Sequence, residues 1–72
     1  MRVTINGKPE EVQARTVMDL LAAKEIEPRM VAVERNGAML QREQLEQTAL
    51  AEGDEIEFLF FMGGGCTQTL SN

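Results

Sequence analysis

Apolar and polar side chains alternate along residues 1–5, and this period of two residues predicts a β-strand with one buried face. Asn6-Gly7 follows and suits a tight hairpin turn, because both central residues of such a turn have positive φ. A second strand is predicted over residues 8–14, with Val12 and Ala14 directed toward the core. The chain therefore begins with a β-hairpin.

The segment after the hairpin has the spacing of an amphipathic helix. Three apolar side chains share one face of such a helix: Val17, Leu20 and Leu21. Thr16 is placed to cap its N-terminus, and the carboxylate of Asp19 favours the exposed N–H groups of the first turn. We predict a helix over residues 17–26 that is ended by Pro28, since proline breaks a helix.

The second half of the chain predicts three more strands. Residues 30–35 alternate again, Asn36-Gly37 repeats the turn signal, and a short edge strand is predicted over residues 39–41. A connecting segment follows, and Leu45 is expected to anchor it. The last strand is predicted over residues 55–62, with three side chains on its core face: Ile56, Phe58 and Phe60.

The order of these elements is hairpin, helix, strand, short connection and final strand. It indicates the α+β class and, within it, the ubiquitin-like β-grasp fold, in which a mixed sheet of four to five strands carries one main helix on one face. The final strand of that fold lies centrally beside the first. We therefore expect a β-grasp domain over residues 1–62, followed by a glycine tail over residues 63–72.

The last strand also predicts a surface. The side chains that alternate with its core-facing residues lie on the side of the sheet without a second layer, which exposes apolar groups among acids. Such a patch indicates a binding site for a protein partner. Its predicted members are Asp54, Glu55, Glu57, Leu59, Phe61 and Met62. The alternatives are that a loop or a second copy covers the apolar groups, or that the acids only keep the domain soluble.

The composition excludes most autonomous chemistry. The chain has 72 residues, enough for one small domain, with no histidine and one cysteine. These counts remove Ser-His-Asp and Cys-His catalysis, histidine-based metal sites and CxxC chemistry. The single cysteine and the polar N-terminus favour the cytoplasm. The longest apolar run, residues 58–62, is too short for a membrane span, so no membrane partner is expected.

The charge is divided unevenly along the chain. The net charge is −5, yet residues 1–42 contain seven Lys and Arg against six Asp and Glu, while residues 43–72 contain six acids and no base. A half without Lys or Arg offers no contacts to phosphates, so nucleic acid is not expected as a partner. A basic protein surface is the better candidate.

Three consecutive glycines, Gly63, Gly64 and Gly65, follow the last strand. They are compatible with a flexible linker before a disordered terminus. They also suit a tail that enters the narrow active site of another enzyme, because glycine has no side chain and adopts φ values closed to other residues. The carboxylate of a terminal glycine is unhindered as a nucleophile toward a nucleotide phosphate.

Several segments resemble the sulfur carrier proteins of the ThiS/MoaD class, and within it the thiamine-biosynthesis branch. They are Val31 to Gly37, Glu52 to Glu57, Phe61 to Gly65 and the helix start Asp19-Leu20-Leu21. The resemblance covers residues 1–65, and it is most specific from Val31 onward.

The resemblance implies a carrier rather than an enzyme. In that class an E1-like adenylating enzyme uses ATP and Mg²⁺ to activate the terminal glycine, so the carrier itself binds no cofactor. Sulfur from a cysteine desulfurase then displaces AMP, and the resulting thiocarboxylate supplies sulfur to thiazole synthase. By position, Gly65 would bear the reactive carbonyl, and Gly64 and Gly63 would thread through the active-site channel.

The chain continues beyond the glycines at which members of this branch usually end. Residues 66–72 would leave the Gly65 carboxyl as an amide, so we expect a precursor that a protease cuts between Gly65 and Cys66. Cleavage after Gly64 is the alternative. Cys66 is either an ordinary thiol of a discarded segment or a sulfur-relay site beside Gly65, and no neighbouring cation supports the second role.

Other functions remain open from the sequence. A carrier for cysteine, methionine or another sulfur metabolite would use the same tail. A ubiquitin-like modifier would join the same glycine to lysines of other proteins, and a passive β-grasp interaction module would not use the glycines at all.

Overall fold

One mixed five-stranded sheet carries a single α-helix on one face. The computed structural model describes residues 1–61, and Met62–Asn72 lie outside the described part. The strands are β1 (Arg2–Ile5), β2 (Lys8–Glu11), β3 (Val31–Arg35), β4 (Ala38–Leu40) and β5 (Glu55–Phe60), and the helix is α1 (Val17–Ala23). Two 3₁₀ helices, Pro28–Met30 and Arg42–Gln44, join these elements. Within residues 1–61, no helix is long and apolar enough to cross a membrane.

The strand order is β2-β1-β5-β3-β4. Strand β5 runs parallel to β1 and antiparallel to β3, so the last strand lies in the centre beside the first. The other two pairs are antiparallel hairpins. This topology confirms the predicted β-grasp fold with one main helix on one face.

The two hairpin turns have the conformation that their sequences require. Asn6 and Gly7 have φ values of 50° and 84°, and Asn36 and Gly37 have values of 53° and 86°. Asparagine and glycine tolerate this left-handed region better than other residues, so these two pairs set the register of both hairpins.

The N-terminus of α1 is closed as predicted. The backbone N–H of Asp19 donates to Oγ1 of Thr16 over 3.1 Å, and the N–H of Thr16 donates back to the Asp19 carboxylate over 3.4 Å. The two residues therefore form a reciprocal capping box.

The predicted C-terminus of the helix was wrong. Helix α1 ends at Ala23, three residues before the predicted end, and Pro28 instead begins a 3₁₀ helix. Glu25 adopts a φ of 59°, and the N–H of Ile26 donates to the carbonyl of Leu21 over 2.9 Å. This closure satisfies the last carbonyls of the helix before proline is reached.

Strand boundaries differ by a few residues. Strand β2 ends at Glu11 rather than at residue 14, although Val12 and Ala14 do pack against the core. The short edge strand begins one residue earlier than predicted, and Leu45 is 2% exposed, as expected for its anchoring role.

The core lies between α1 and the sheet. Its buried side chains are Val3, Ile5, Val17, Leu20, Leu21, Val31, Val33, Leu45, Leu50, Ile56 and Phe58. The prediction that Phe60 belongs to this core was wrong, because its side chain is 54% exposed. Strand β1 ends at Ile5 opposite Ile56, so the end of β5 extends past β1 and its last residue lies at the border of the core. Phe60 instead packs edge to face against Phe58, with 6.3 Å between the ring centroids.

Candidate partner-binding surface

The open face of the sheet carries exposed apolar side chains near the end of β5. Leu59 lies directly opposite Ala32 of β3, on the side away from the helix. The side chains of Leu59 and Phe61 are 49% and 55% exposed, as the alternation along β5 predicted. Met39 of the neighbouring strand β4 is equally exposed, at 50%. We call Ala32, Met39, Leu59 and Phe61 the open-face patch.

Two carboxylates border this patch. Glu34 of β3 pairs directly with Glu57 of β5, and both share the open face with Leu59. Within residues 1–61, neither carboxylate takes part in an ion pair. Like charges directly opposite one another repel, so this arrangement favours a partner that places a cation between them. The sequence prediction did not include Glu34 in this site, although its place in the alternation of residues 30–35 put it on the open face.

Asp54 does not belong to the open surface, which corrects the sequence prediction. The residue is 5% exposed, and its carboxylate accepts hydrogen bonds from Arg35 Nε, over 2.9 Å, and from Asn36 Nδ2, over 3.0 Å. The backbone N–H of Ala51 donates a third bond over 2.8 Å. Burial raises the pKa of Asp54, but these hydrogen bonds and the Arg35 charge together outweigh burial and hold the pKa below its ordinary value.

The other two predicted acids remain accessible. Glu55 and Glu57 are exposed residues of β5, and the alternation of the strand places both on the open face. The backbone N–H of Glu55 donates to Oδ1 of Asn36 over 2.9 Å, so this contact uses the backbone of Glu55 and not its carboxylate. These two residues and the open-face patch form one continuous surface with an acidic border.

The chain leaves the sheet at the end of this surface. The N–H of Phe61 donates to the carbonyl of Met30 over 2.9 Å, which continues the pairing between β5 and β3 by one residue. Met30 is 42% exposed and Phe60 54%, so apolar groups surround the point of departure. The predicted functional glycines Gly63, Gly64 and Gly65 follow directly, and they lie outside the described residues together with Met62 and Cys66.

The described site has the chemistry of a binding surface. Within residues 1–61, no group of three or more Cys, Asp, Glu or His side chains could hold a metal ion. The surface combines the exposed open-face patch with the carboxylates of Glu34 and Glu57, and it lies on the strand β5 that precedes the glycines in the sequence.

Comparisons with known proteins agree with this geometry. Residues 3–65 match the ThiS family. The sulfur carrier protein ThiS of Bacillus subtilis is 40% identical over 63 residues, which cover 85% of this chain and 96% of that protein.

Two longer proteins also match. Thiazole synthases of Magnetococcus marinus and Paramagnetospirillum magneticum are 39% identical over 66 residues and 38% identical over 69 residues. These segments cover 90% and 94% of this chain, whereas the chain spans only about a fifth of either protein, at 20% and 21%.

Solved structures give the same result. A crystal structure of the thiamine biosynthesis protein ThiS from Geobacter metallireducens has a TM-score of 0.77 and 43% identity, covering 90% of this chain and 100% of that chain. A solution structure of a thiamine biosynthesis protein from the same organism has a TM-score of 0.74 and 39% identity, covering 100% of this chain and 97% of that chain. The chain therefore belongs to the ThiS family, which confirms the predicted resemblance.

Proposed function

We propose that this chain carries sulfur as a thiocarboxylate on Gly65 and delivers it to thiazole formation in thiamine biosynthesis. The observation that carries the proposal is that the match to the ThiS family extends to Gly65, the last of the three glycines. Strand β5 lies in the centre of the sheet, so a rigid domain leads directly into this tail. The two longer relatives are thiazole synthases, which supports the choice of acceptor.

The chemistry needs a free carboxylate on Gly65. A protease would hydrolyse the peptide bond between Gly65 and Cys66 and release residues 66–72. An E1-like enzyme would then join the carboxylate to the α-phosphate of ATP with Mg²⁺ and release pyrophosphate. A sulfur donor charged by a cysteine desulfurase would displace AMP, so the carbonyl carbon exchanges its bond to the phosphate oxygen for a bond to sulfur. Reduction of the donor's persulfide bond by a thiol would release the thiocarboxylate.

The open-face patch supplies the recognition that this sequence of steps requires. A tail of small residues gives a partner little to bind, so most of the binding energy must come from the folded domain. Leu59 and Phe61 present exposed apolar area, and Glu55 and Glu57 add negative charge at its border. The adenylating enzyme and thiazole synthase would both bind here through apolar and basic residues.

The test is the intact mass of the protein recovered from its host with the adenylating enzyme present. A chain that ends at Gly65 with one oxygen replaced by sulfur supports both the cleavage and the carrier role. A full-length chain that stays unchanged with ATP and the adenylating enzyme contradicts the proposal. A branched product in which the glycine is joined to a lysine would instead indicate a protein modifier.

A matched control separates activation from binding. Deletion of Gly64-Gly65 should abolish the sulfur-containing product, while the folded domain and its open-face patch are retained. If the deletion changes neither the product nor the host's thiamine requirement, the glycines have no role in sulfur transfer.

A further inference from the structure

One edge of β3 lacks a paired strand over part of its length, because its neighbour β4 is shorter. Strand β4 pairs only with Val33, Glu34 and Arg35, so Val31 and Ala32 extend past its end. After Leu40 the chain turns away into the 3₁₀ helix Arg42–Gln44. The space beside Val31 is a groove of about 290 Å³ between the two 3₁₀ helices.

The backbone of Val31 points into this groove. Arg35 and Ala38 flank a two-residue turn and therefore form a hydrogen-bonded pair, and in antiparallel strands such pairs recur at every second residue. Val33 with Leu40 is the next such pair, and Val31 follows with no residue of β4 opposite it. Among residues 1–61, no backbone group of a loop or turn is hydrogen-bonded to Val31, and the pairing of β3 with β4 does not reach it.

The groove is basic on a chain that is otherwise acidic. Arg29 and Arg42 both line it, whereas the whole chain has a net charge of −5. Nε of Arg29 pairs with Glu27 over 3.2 Å. Arg42 makes no salt bridge within the described residues, and the Glu27 carboxylate is the one acid that interacts with both arginines, so the groove keeps an excess of positive charge. Both guanidinium groups can approach a carboxylate from solvent.

Apolar side chains complete the groove on its open side. Met39 and Phe61 both line it and are about half exposed, at 50% and 55%. An extended peptide beside Val31 would place alternate side chains toward these two residues and leave the others near the arginines. The groove thus offers backbone pairing, apolar contact and positive charge together.

We propose that this edge of β3 binds an extended acidic segment of a partner protein, which adds as a short strand beside Val31 and directs a carboxylate to Arg42. Strand addition to an open edge is an established mode of peptide recognition. The side chains of the chain's own tail offer no carboxylate to Arg42, because residues 62–72 contain no Asp or Glu. The groove shares Ala32, Met39 and Phe61 with the open-face patch, but the proposal does not depend on sulfur carriage.

The test is an NMR titration of the ¹⁵N-labelled full-length chain with two capped probe peptides. One probe is Glu-Val-Glu-Val-Glu, and the other is Lys-Val-Lys-Val-Lys. The acidic peptide should shift the amide signals of Val31, Met39 and Phe61 and slow hydrogen exchange at the Val31 N–H. The basic peptide should do neither.

Two variants with the same charge change sharpen the test. Arg42→Glu should weaken binding of the acidic peptide about tenfold, the effect of losing one charged hydrogen bond. Arg15→Glu should leave the affinity within about twofold, because Arg15 is exposed and does not line the groove. Both variants should keep the amide spectrum of a folded chain. Equal losses in the two variants would overturn the proposal, since they would indicate general charge attraction.

Three further results would overturn it. Peptide-induced shifts without slowed exchange at Val31 would exclude strand addition. Exchange at Val31 that is already slow in the free chain, with contacts to residues 62–72, would assign the groove to the chain's own tail. Exchange that slows as the protein concentration rises would assign it to a second copy.

Discussion

The Arg35 guanidinium and the Asp54 carboxylate join the end of β3 to the segment before β5, at one end of the sheet. Arg35 Nε donates to Asp54 Oδ2 over 2.9 Å, and the Asp54 side chain is nearly buried while that of Arg35 is about one third exposed. Asp54 also accepts bonds from Asn36 in the β3–β4 turn and from the backbone of Ala51. The pair thereby fixes the turn after β3 against the segment that leads into β5.

We expect Asp54→Ala to lower the free energy of unfolding by about 2–3 kcal/mol, because three donors lose a buried acceptor. Urea denaturation of the variant and the parent measures the change. Glu55→Ala, which removes an exposed neighbouring carboxylate, should change stability by less than about 0.5 kcal/mol. Equal effects in the two variants would mean that the buried network contributes nothing specific.

The same carboxylate should make stability depend on pH. Its pKa in the folded chain lies below the ordinary value of 3.8, because the hydrogen bonds and the Arg35 charge outweigh the opposing effect of burial. The stabilisation is therefore complete above pH 3.8 and is lost as the pH falls through the folded-state pKa. Urea midpoints measured on either side of this range should fall less steeply on acidification in Asp54→Asn than in the parent. An unchanged slope would contradict the assignment.

The C-terminus of α1 offers a stabilising substitution. Glu25 holds a φ of 59°, a conformation that costs a residue with a side chain about 1 kcal/mol and costs glycine almost nothing. Glu25→Gly should therefore raise the free energy of unfolding by up to about 1 kcal/mol, measured by urea denaturation. Glu25→Ala is the matched control, since it removes the carboxylate but keeps the strained φ, and it should give no comparable gain.

Phe61 should contribute to partner binding without supporting the fold. Phe61→Asp should weaken binding to the adenylating enzyme by roughly 2 kcal/mol, the typical loss for an aromatic contact residue, while the circular dichroism spectrum stays that of the parent. Phe60→Asp changes an equally exposed side chain on the opposite face and should cost less, as titration calorimetry would show. If Phe61→Asp unfolds the chain, Phe61 is a core residue instead.

The paired carboxylates of Glu34 and Glu57 should lower the free energy of unfolding and speed association with a basic partner. Glu57→Gln should raise the free energy of unfolding by a few tenths of a kcal/mol, because it removes the repulsion from Glu34. The same variant should slow association with a basic partner in stopped-flow measurements at low salt, and the difference should shrink as salt is added. Glu46→Gln, an exposed acid of the connecting segment, should not alter the rate in the same way.

Hydrophobic periodicity was sufficient for the order of elements and for most of the core. Alternation identified the face of β5 that carries Leu59 and Phe61, and Thr16 with Asp19 identified the start of the helix. The C-terminus of α1 could not be predicted from such local patterns. It depends on Glu25 adopting a positive φ, which the sequence signals poorly because glycine or asparagine usually occupies that position.

The sequence by itself determined the β-grasp order, the two Asn-Gly turns and the glycine tail, because period-two alternation and turn chemistry are local properties of the chain. Only the tertiary structure decided that Asp54 is buried beside Arg35, that Phe60 lies beyond the core, and that Val31 extends past β4. Each of these three features depends on how the strands are paired and on where one strand ends relative to its neighbour. Strand pairing joins residues far apart in sequence, so burial and open edges appear only once the sheet has formed.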